Sequence, residues 1–481
     1  MRHTFFDALL GSALAAALSL GSAHAAQPIP VEALARLPAL QSVSMSPDGK
    51  HLVGLIPSPN DKDDTALATW DTDALSAGPR VVTPSGDHMK FIAAYAMKAD
   101  KLLAIARQEW TGHLGGCGEG KSTGATKTFV VKTYLSGIDQ KNFGEAFADD
   151  TRKLGVSKST ERCLEIAGTS SLVDMLPLDP DRVIISQLSQ VTWTSNYYLY
   201  NLKTKERELL FKGGNRARPS LFDSRTGKVL AKSEIEPVGG DYEQRVLLLN
   251  AKTGQFELQP ALTTKLSQRY TVTVDGLDDA TGKFYILTDQ FSDKLQVRMY
   301  DPATQKYDPE PALADKNYSI GGLLFSTRAS NFNQIVGFVV DGPYRQVVYI
   351  DPDLKAIQDS IKQAFPGQQV NIASYTDDLA KVLFTTQSAS DPAAYHLLLD
   401  KKQVANLGST RPWIGKDMTG EESWVTYKAR DGREIPAILD LPAGWKQGDA
   451  PAKAIIMPHG GPWARDYTGW DASGWVPMLT S

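Results

Sequence analysis

The 481-residue chain is poor in several things at once. It has two cysteines, Cys117 and Cys163, and no paired histidines near them, so it does not offer the four ligands of a zinc set. It has no surplus of either charge: 51 basic residues against 55 acidic give a net charge of −4. That balance excludes the basic footprint of a nucleic-acid binder and a polybasic membrane patch. Long apolar runs are missing except for one at the start, Ala8 to Leu20. That run is shorter than the roughly 20 apolar residues a membrane span needs. Gly-x-Ser-x-Gly, the elbow that presents a hydrolase serine, occurs nowhere in the chain. No cofactor motif stands out, and no cofactor or metal is expected.

The N-terminal run follows Arg2 and His3 and leads to Ala23-His24-Ala25, a small-x-small cleavage pattern. Residues 1–26 therefore read as a secretory signal peptide, the alternative being an uncleaved anchor helix. The mature protein is expected to be exported, periplasmic or secreted, with no membrane span after cleavage. In an oxidising compartment, Cys117 and Cys163 become a candidate disulfide, the alternative being two free thiols. The bridge would close about 46 residues and stabilise the fold by about 4 kcal/mol in the chain-entropy model.

What the chain does have is a repeat. Val43-Ser44-Met45-Ser46-Pro47-Asp48-Gly49-Lys50-His51-Leu52-Val53 is a strand, a Pro-Asp-Gly turn and a returning strand. Pro presets φ for the turn, and Gly accepts the positive φ of a tight hairpin. Six weaker copies follow, at 97–103, 178–184, 222–230, 277–285, 332–336 and 375–383. About 20 residues after most turns comes an apolar strand ending in Asp or Asn, such as Val246-Leu247-Leu248-Leu249-Asn250. A period of roughly 45 to 55 residues is the size of a four-stranded propeller blade. A large sandwich would not repeat one turn seven times at one spacing. Residues 27–412 are therefore read as a mostly β, seven-bladed β-propeller. The longer interval between the second and third turns holds both cysteines and is read as carrying an inserted loop. The turn aspartates Asp48, Asp223 and Asp377 read as turn-formers, and Asp61-Lys62-Asp63-Asp64 as a solvated loop tip.

From Trp424 the pattern changes to a hairpin across Asp431-Gly432. An apolar stretch, Ala454-Ile455-Ile456-Met457, then leads into Pro458-His459-Gly460-Gly461-Pro462. Glycines directly after a strand let backbone N–H groups approach a substrate with no Cβ in the way. Donors of that kind, aimed at the oxygen of a tetrahedral acyl intermediate, are worth a few kcal/mol each. His459, Gly460, Gly461 and Pro462 are thus oxyanion-loop candidates. His459 is read as a loop residue rather than the general base, because the triad histidine comes last in α/β-hydrolases.

Together these motifs resemble the prolyl oligopeptidase (S9) serine peptidases, in the dipeptidyl-peptidase and acylaminoacyl-peptidase branch. The matching residues are Ser44-Met45-Ser46-Pro47-Asp48-Gly49, Tyr427-Lys428-Ala429-Arg430-Asp431-Gly432, Leu439-Asp440-Leu441-Pro442 and His459-Gly460-Gly461-Pro462-Trp463-Ala464-Arg465-Asp466. The resemblance implies a propeller capping a C-terminal α/β-hydrolase that admits short peptides, with a Ser, Asp, His triad. Residues 413–481 then correspond to the incomplete start of that hydrolase, and all three triad members are expected beyond Ser481. Two alternatives stand beside this reading: a secreted propeller that only binds, its hydrolase decayed, and a scaffold propeller unrelated to peptidases. The segment after about residue 415 is expected to pack poorly, with unpaired strand edges and uncovered tryptophans Trp463, Trp470 and Trp475. A fluorophosphonate probe applied to the 481-residue chain should leave it unlabelled. A labelled serine found by peptide mapping would contradict the absence of a nucleophile.

Overall fold

Strands that alternate apolar and polar residues bury one face and need a partner for it. In the computed structural model this partner is the neighbouring blade around a ring. The structure describes residues 28–87, 89–110, 128–147, 170–189, 194–214, 216–451, 453–461 and 464–481. The signal-peptide reading, Cys117, Cys163 and Pro462 lie outside them.

Seven antiparallel meanders follow one another, at residues 41–84, 89–145, 170–211, 217–258, 272–307, 320–349 and 369–409. The seven turns read from the sequence join the first and second strands of the seven blades. Between each pair of neighbouring blades lies one apolar seam. Val53, Leu55 and Leu67 meet Phe91 and Leu102 of blade two. Five further seams repeat this around the ring. The seventh returns from blade seven to blade one, where Leu383 and Leu397 pack on Leu40, Val43, Met45 and Leu52. Leu383 and Leu397 are fully buried, and burial of this kind contributes about 1.5–3 kcal/mol per side chain.

A belt of polar links at the turn end reinforces the seams. Ser44 Oγ accepts from Ala96 N at 2.7 Å, joining blades one and two. The buried Lys98 ammonium donates to the carbonyls of Met175, Leu176 and Asp179 in blade three. Burial holds its pKa below the usual lysine value. Ser224 Oγ donates to Asp174, Arg225 to Asp279, Asn333 to Leu277 O and Asp279, and Ala329 N to Asp377. Lys381 closes the circle by donating to Gly49 O, Thr72 Oγ1 and Asp73. Asp48 and Asp223 accept bonds from their own turns, as turn-formers do. Asp377 differs: it receives its bond from blade six, while Asp378 secures the local turn. Gly49 has φ +69°, and a Cβ there would lie 2.3 Å from Thr376 Cγ2 across the last seam.

Blade six departs from a uniform repeat. It has three strands, and the helix Pro352–Ala364 stands where a fourth would be. Asp351 caps it by accepting from Asp353 N and Leu354 N, with Pro352 in the first turn, an arrangement worth about 1 kcal/mol. Its Leu354, Ile357 and Ile361 complete the seam to blade seven, and Gln358 Nε2 donates to Val347 O of the outermost strand. Residues 111–127 and 148–169, where the inserted loop with both cysteines is expected, lie outside the described residues.

Residues 416–481 lie at the opposite end from the turns, against the hairpins between second and third strands. Strands Glu422–Lys428 and Glu434–Asp440 pair only with each other. Residues 454–457 form no strand, and Ile456 is 91% exposed. No strand among the described residues runs alongside to satisfy their backbone, so an apolar sequence alone does not make them one. The final stretch packs better than the sequence suggests. Arg465 donates to Asp341 O and Gly342 O, Thr468 N to Pro343 O, and Ile29 N to Ser481 Oγ. The helix Trp475–Thr480 leaves Trp475 exposed.

Glu422 is the electrostatic weak point of this docking. Both its oxygens accept from Gly469 N. Burial, with Asp440 nearby, pushes its pKa up to about 7. A carboxyl raised in the folded state binds more protons there than in the unfolded chain. Its contribution is complete below the ordinary carboxyl pKa and is lost as pH rises through about 7.

Two outcomes follow from this architecture. Lys381→Met should lower unfolding stability by about 1–3 kcal/mol, read by denaturant titration. An unchanged midpoint would mean the seam does not need its clamp. Hydrogen exchange in residues 464–481 should quicken between pH 5 and pH 8 beyond the intrinsic rise, and Glu422→Gln should flatten that excess. Equal profiles for the two proteins would remove Glu422 from the docking.

Candidate functional site

The oxyanion candidates stand on an exposed loop. His459, Gly460 and Gly461 are all exposed, and His459 Nδ1 lies 2.7 Å from the carbonyl of its own neighbour Gly460. Among the described residues, no nucleophile or carboxylate of a triad stands beside them. The other two imidazoles among the described residues are engaged elsewhere. His51 Nδ1 pairs with Asp71 at 2.9 Å. His396 Nε2 meets Thr386 Oγ1 at 3.0 Å, with its ring stacked on Phe384. His396 is only 5% exposed, and burial depresses its pKa. It borders a cavity of about 400 Å³ beside Phe365 and Gln368. Among the described residues, then, no histidine ring meets a serine hydroxyl.

A larger cavity, of about 540 Å³, opens among the first strands of blades three to six, with Ser186, Tyr197 and Leu230 of second and third strands also in its wall. It sits at the turn end, because Asp223, Arg225, Asp279 and Asn333 of the turns line it. Aromatic rings form part of its wall: Tyr197 and Phe222, with centroids 5.7 Å apart, and Phe325. The tip of the Phe325 ring approaches Gly276 so closely that a Cβ there would come within 2.2 Å of Phe325 Cζ. Asp275 stands on the adjacent strand Val272–Leu277. Its Oδ2 accepts from Leu323 N at 2.7 Å, and burial holds its pKa above the usual aspartate value.

Neither Asp275 nor Phe325 was singled out by sequence. Asp275 directly precedes Gly276 in an otherwise ordinary alternating strand, and the chain carries no sign of which strand faces the axis. A polar residue at an inward position of each blade's first strand is the only signal available, and it becomes readable once the ring order is known.

Comparison with known proteins agrees with this architecture. No family model matches the chain. Dipeptidyl aminopeptidase BIII of Pseudoxanthomonas mexicana is 23% identical over 494 aligned positions, covering 98% of this chain and 63% of that protein. Dipeptidyl peptidase family member 6 of Caenorhabditis elegans is also 23% identical, covering 93% of this chain and 58% of its own length. The chain therefore spans about three fifths of each. Among solved structures, a puromycin hydrolase superposes with a TM-score of 0.51 at 14% identity, covering 94% of this chain and 67% of that one. A structure from a study of two prolyl endopeptidases gives 0.50 at 12% identity, covering 88% and 58%. The structural matches carry the fold alone. The chain is thus similar, across its propeller region and about three fifths of their length, to peptidases of the prolyl oligopeptidase (S9) family.

Proposed function

We propose that this chain carries the propeller and the opening residues of the hydrolase domain of an exported serine peptidase acting on short peptides. The observation that carries this reading is the extent of the match. A relative aligned over 98% of the chain is matched beyond residue 412, past the propeller and into the segment that holds His459-Gly460-Gly461. The N-terminal apolar run with its small-x-small site supports export.

In this reading the backbone N–H groups of the Gly460-Gly461 loop supply part of an oxyanion hole. They act on a tetrahedral intermediate formed by a serine that these 481 residues do not present in a nucleophile elbow. The loop needs a neighbouring strand to fix it. With residues 454–457 unpaired, the donors are not held at the 2.7–3.1 Å positions that make them effective. In this reading the propeller's role is selection: it admits short chains to the hydrolase and keeps folded proteins out.

A second reading is favoured by one observation, the absence of Gly-x-Ser-x-Gly. It makes the chain a secreted propeller that binds without cleaving.

The coding sequence past Ser481 separates the two. The peptidase reading expects a Gly-x-Ser-x-Gly in one of the frames within about 250 residues, the span of a domain. The extended protein should hydrolyse dipeptidyl or acylaminoacyl chromogenic substrates, and serine-to-alanine replacement in that elbow should abolish the activity. In the extended enzyme, Gly461→Pro removes one N–H and should lower kcat about 100-fold. A stop codon with no hydrolase remnant would leave the binding reading.

A further inference from the structure

The smaller cavity, of about 400 Å³, lies on the face of blade seven that turns toward the helix Pro352–Ala364. Side chains alternate along a strand, so Pro392, Ala394 and His396 of the strand Asp391–Leu399 share this face. Thr386 and Ser409 stand opposite Ala394 on the two flanking strands. Ala394, the smallest of these, leaves a space that the loop after the helix covers with Phe365, Pro366 and Gln368.

Two polar atoms of its wall are buried and have no partner: His396 Nδ1 and Gln368 Oε1. His396 itself is 5% exposed. Burial keeps its ring neutral, so one nitrogen is a donor and the other an acceptor. Its Nε2 meets Thr386 Oγ1, and the Thr386 hydroxyl has no other partner among the described residues. Thr386 finds an acceptor only by donating to Nε2. That puts the ring proton on Nδ1, where no acceptor meets it. Gln368 is oriented as well. Its Nε2 donates to Asp391 Oδ2 at 2.8 Å, and turning the amide over would set its oxygen against that carboxylate. The cavity therefore keeps one unused donor and one unused acceptor, and neither is cheaply left unmade when buried.

The charges at the rim cancel. Lys416 pairs with Asp391 at 2.7 Å, and the imidazole is neutral, so a charged ligand would enter without a counterion. Phe365, Pro366, Pro392 and Ala394 make the rest of the wall apolar. Water has no bonds to make on that side. An uncharged ligand with an apolar body, a carbonyl for Nδ1–H and an N–H for Gln368 Oε1 satisfies every part of the wall. The volume falls in the range of small-molecule sites, about 300–1,000 Å³.

We infer that this cavity binds a primary carboxamide carried on a small, flat apolar body, with His396 and Gln368 as its hydrogen-bonding partners. A free aromatic amide and the side-chain amide of an asparagine in a peptide both present that group. Nothing in the site depends on the peptidase reading.

Titration calorimetry on the 481-residue chain tests this with benzamide as the probe. Acetophenone keeps the carbonyl and loses the N–H, and benzoate adds a charge. Benzamide should bind saturably with 1:1 stoichiometry, and the other two at least about tenfold more weakly. His396→Phe keeps a ring against Phe384 and removes the donor, so benzamide should lose at least about tenfold in affinity. Ala394→Met fills the space and should abolish binding. Nicotinamide and acetyl-Phe-Asn-methylamide, each in competition with benzamide, then tell a free aromatic amide from a side-chain amide on a peptide. Displacement by either one supports the assignment. No saturable benzamide binding would mean that the cavity holds water only and would overturn it. Equal binding of acetophenone or benzoate, or unchanged affinity in a folded His396→Phe protein, would do the same. If His396→Phe does not fold, Ala394→Met and the three probes on the unmodified chain still decide.

Discussion

A four-stranded sheet standing alone has two faces to bury and nothing to bury them against. Each blade of this protein solves that problem with its two neighbours, and the solution holds only if the first and last blades also meet. The seam of Leu383 and Leu397 against Val43, Met45 and Leu52 is therefore the contact on which the other six depend. No strand is exchanged across it, since blades one and seven are each complete sequential meanders. Side chains alone close the ring: an apolar strip, the Lys381 clamp and the close approach of Gly49 to Thr376.

The ring also has two unlike ends. At one, the turns between first and second strands join hands in a continuous polar belt, and the larger cavity opens among them. At the other, residues 416–481 lie across the hairpins of blades six and seven. Arg225 shows how tightly the first end is knit: it starts in blade four, bonds Asp279 of blade five and reaches Phe332 O of blade six. Placing the cavity at one end and the His459 loop at the other follows directly from strand direction.

Much of this was legible in the chain because a propeller repeats its most local element. A tight turn is dictated by three or four residues, so all seven turns could be read, weak copies included, and with them the first and second strands of every blade. What could not be read depends on partners distant in sequence. The helix Pro352–Ala364 begins where a fourth strand was expected, under the local authority of Asp351 and Pro352. Residues 454–457 have the composition of a buried strand, but composition does not supply the neighbour that a strand must pair with. Conversely, the final stretch looked unsupported and is held by carbonyls of Asp341, Gly342 and Pro343, groups every sequence has and none advertises. Asp275 was hidden for the same reason. Its one hydrogen bond comes from Leu323 N, in the next blade and 48 residues on.

The closing seam also sets an order in time. Six of the seven seams join blades adjacent in sequence, so each can form as soon as the next blade exists. The seventh joins Lys381 to Gly49, 332 residues apart, and the entropy of bringing ends together grows with the length between them. Non-local contacts of this kind are made late. Until blade seven is complete, the apolar strip of blade one has no cover. The growing chain is then an open arc with one unprotected flank, and its passage to the closed ring is a single late event on which solubility during synthesis turns.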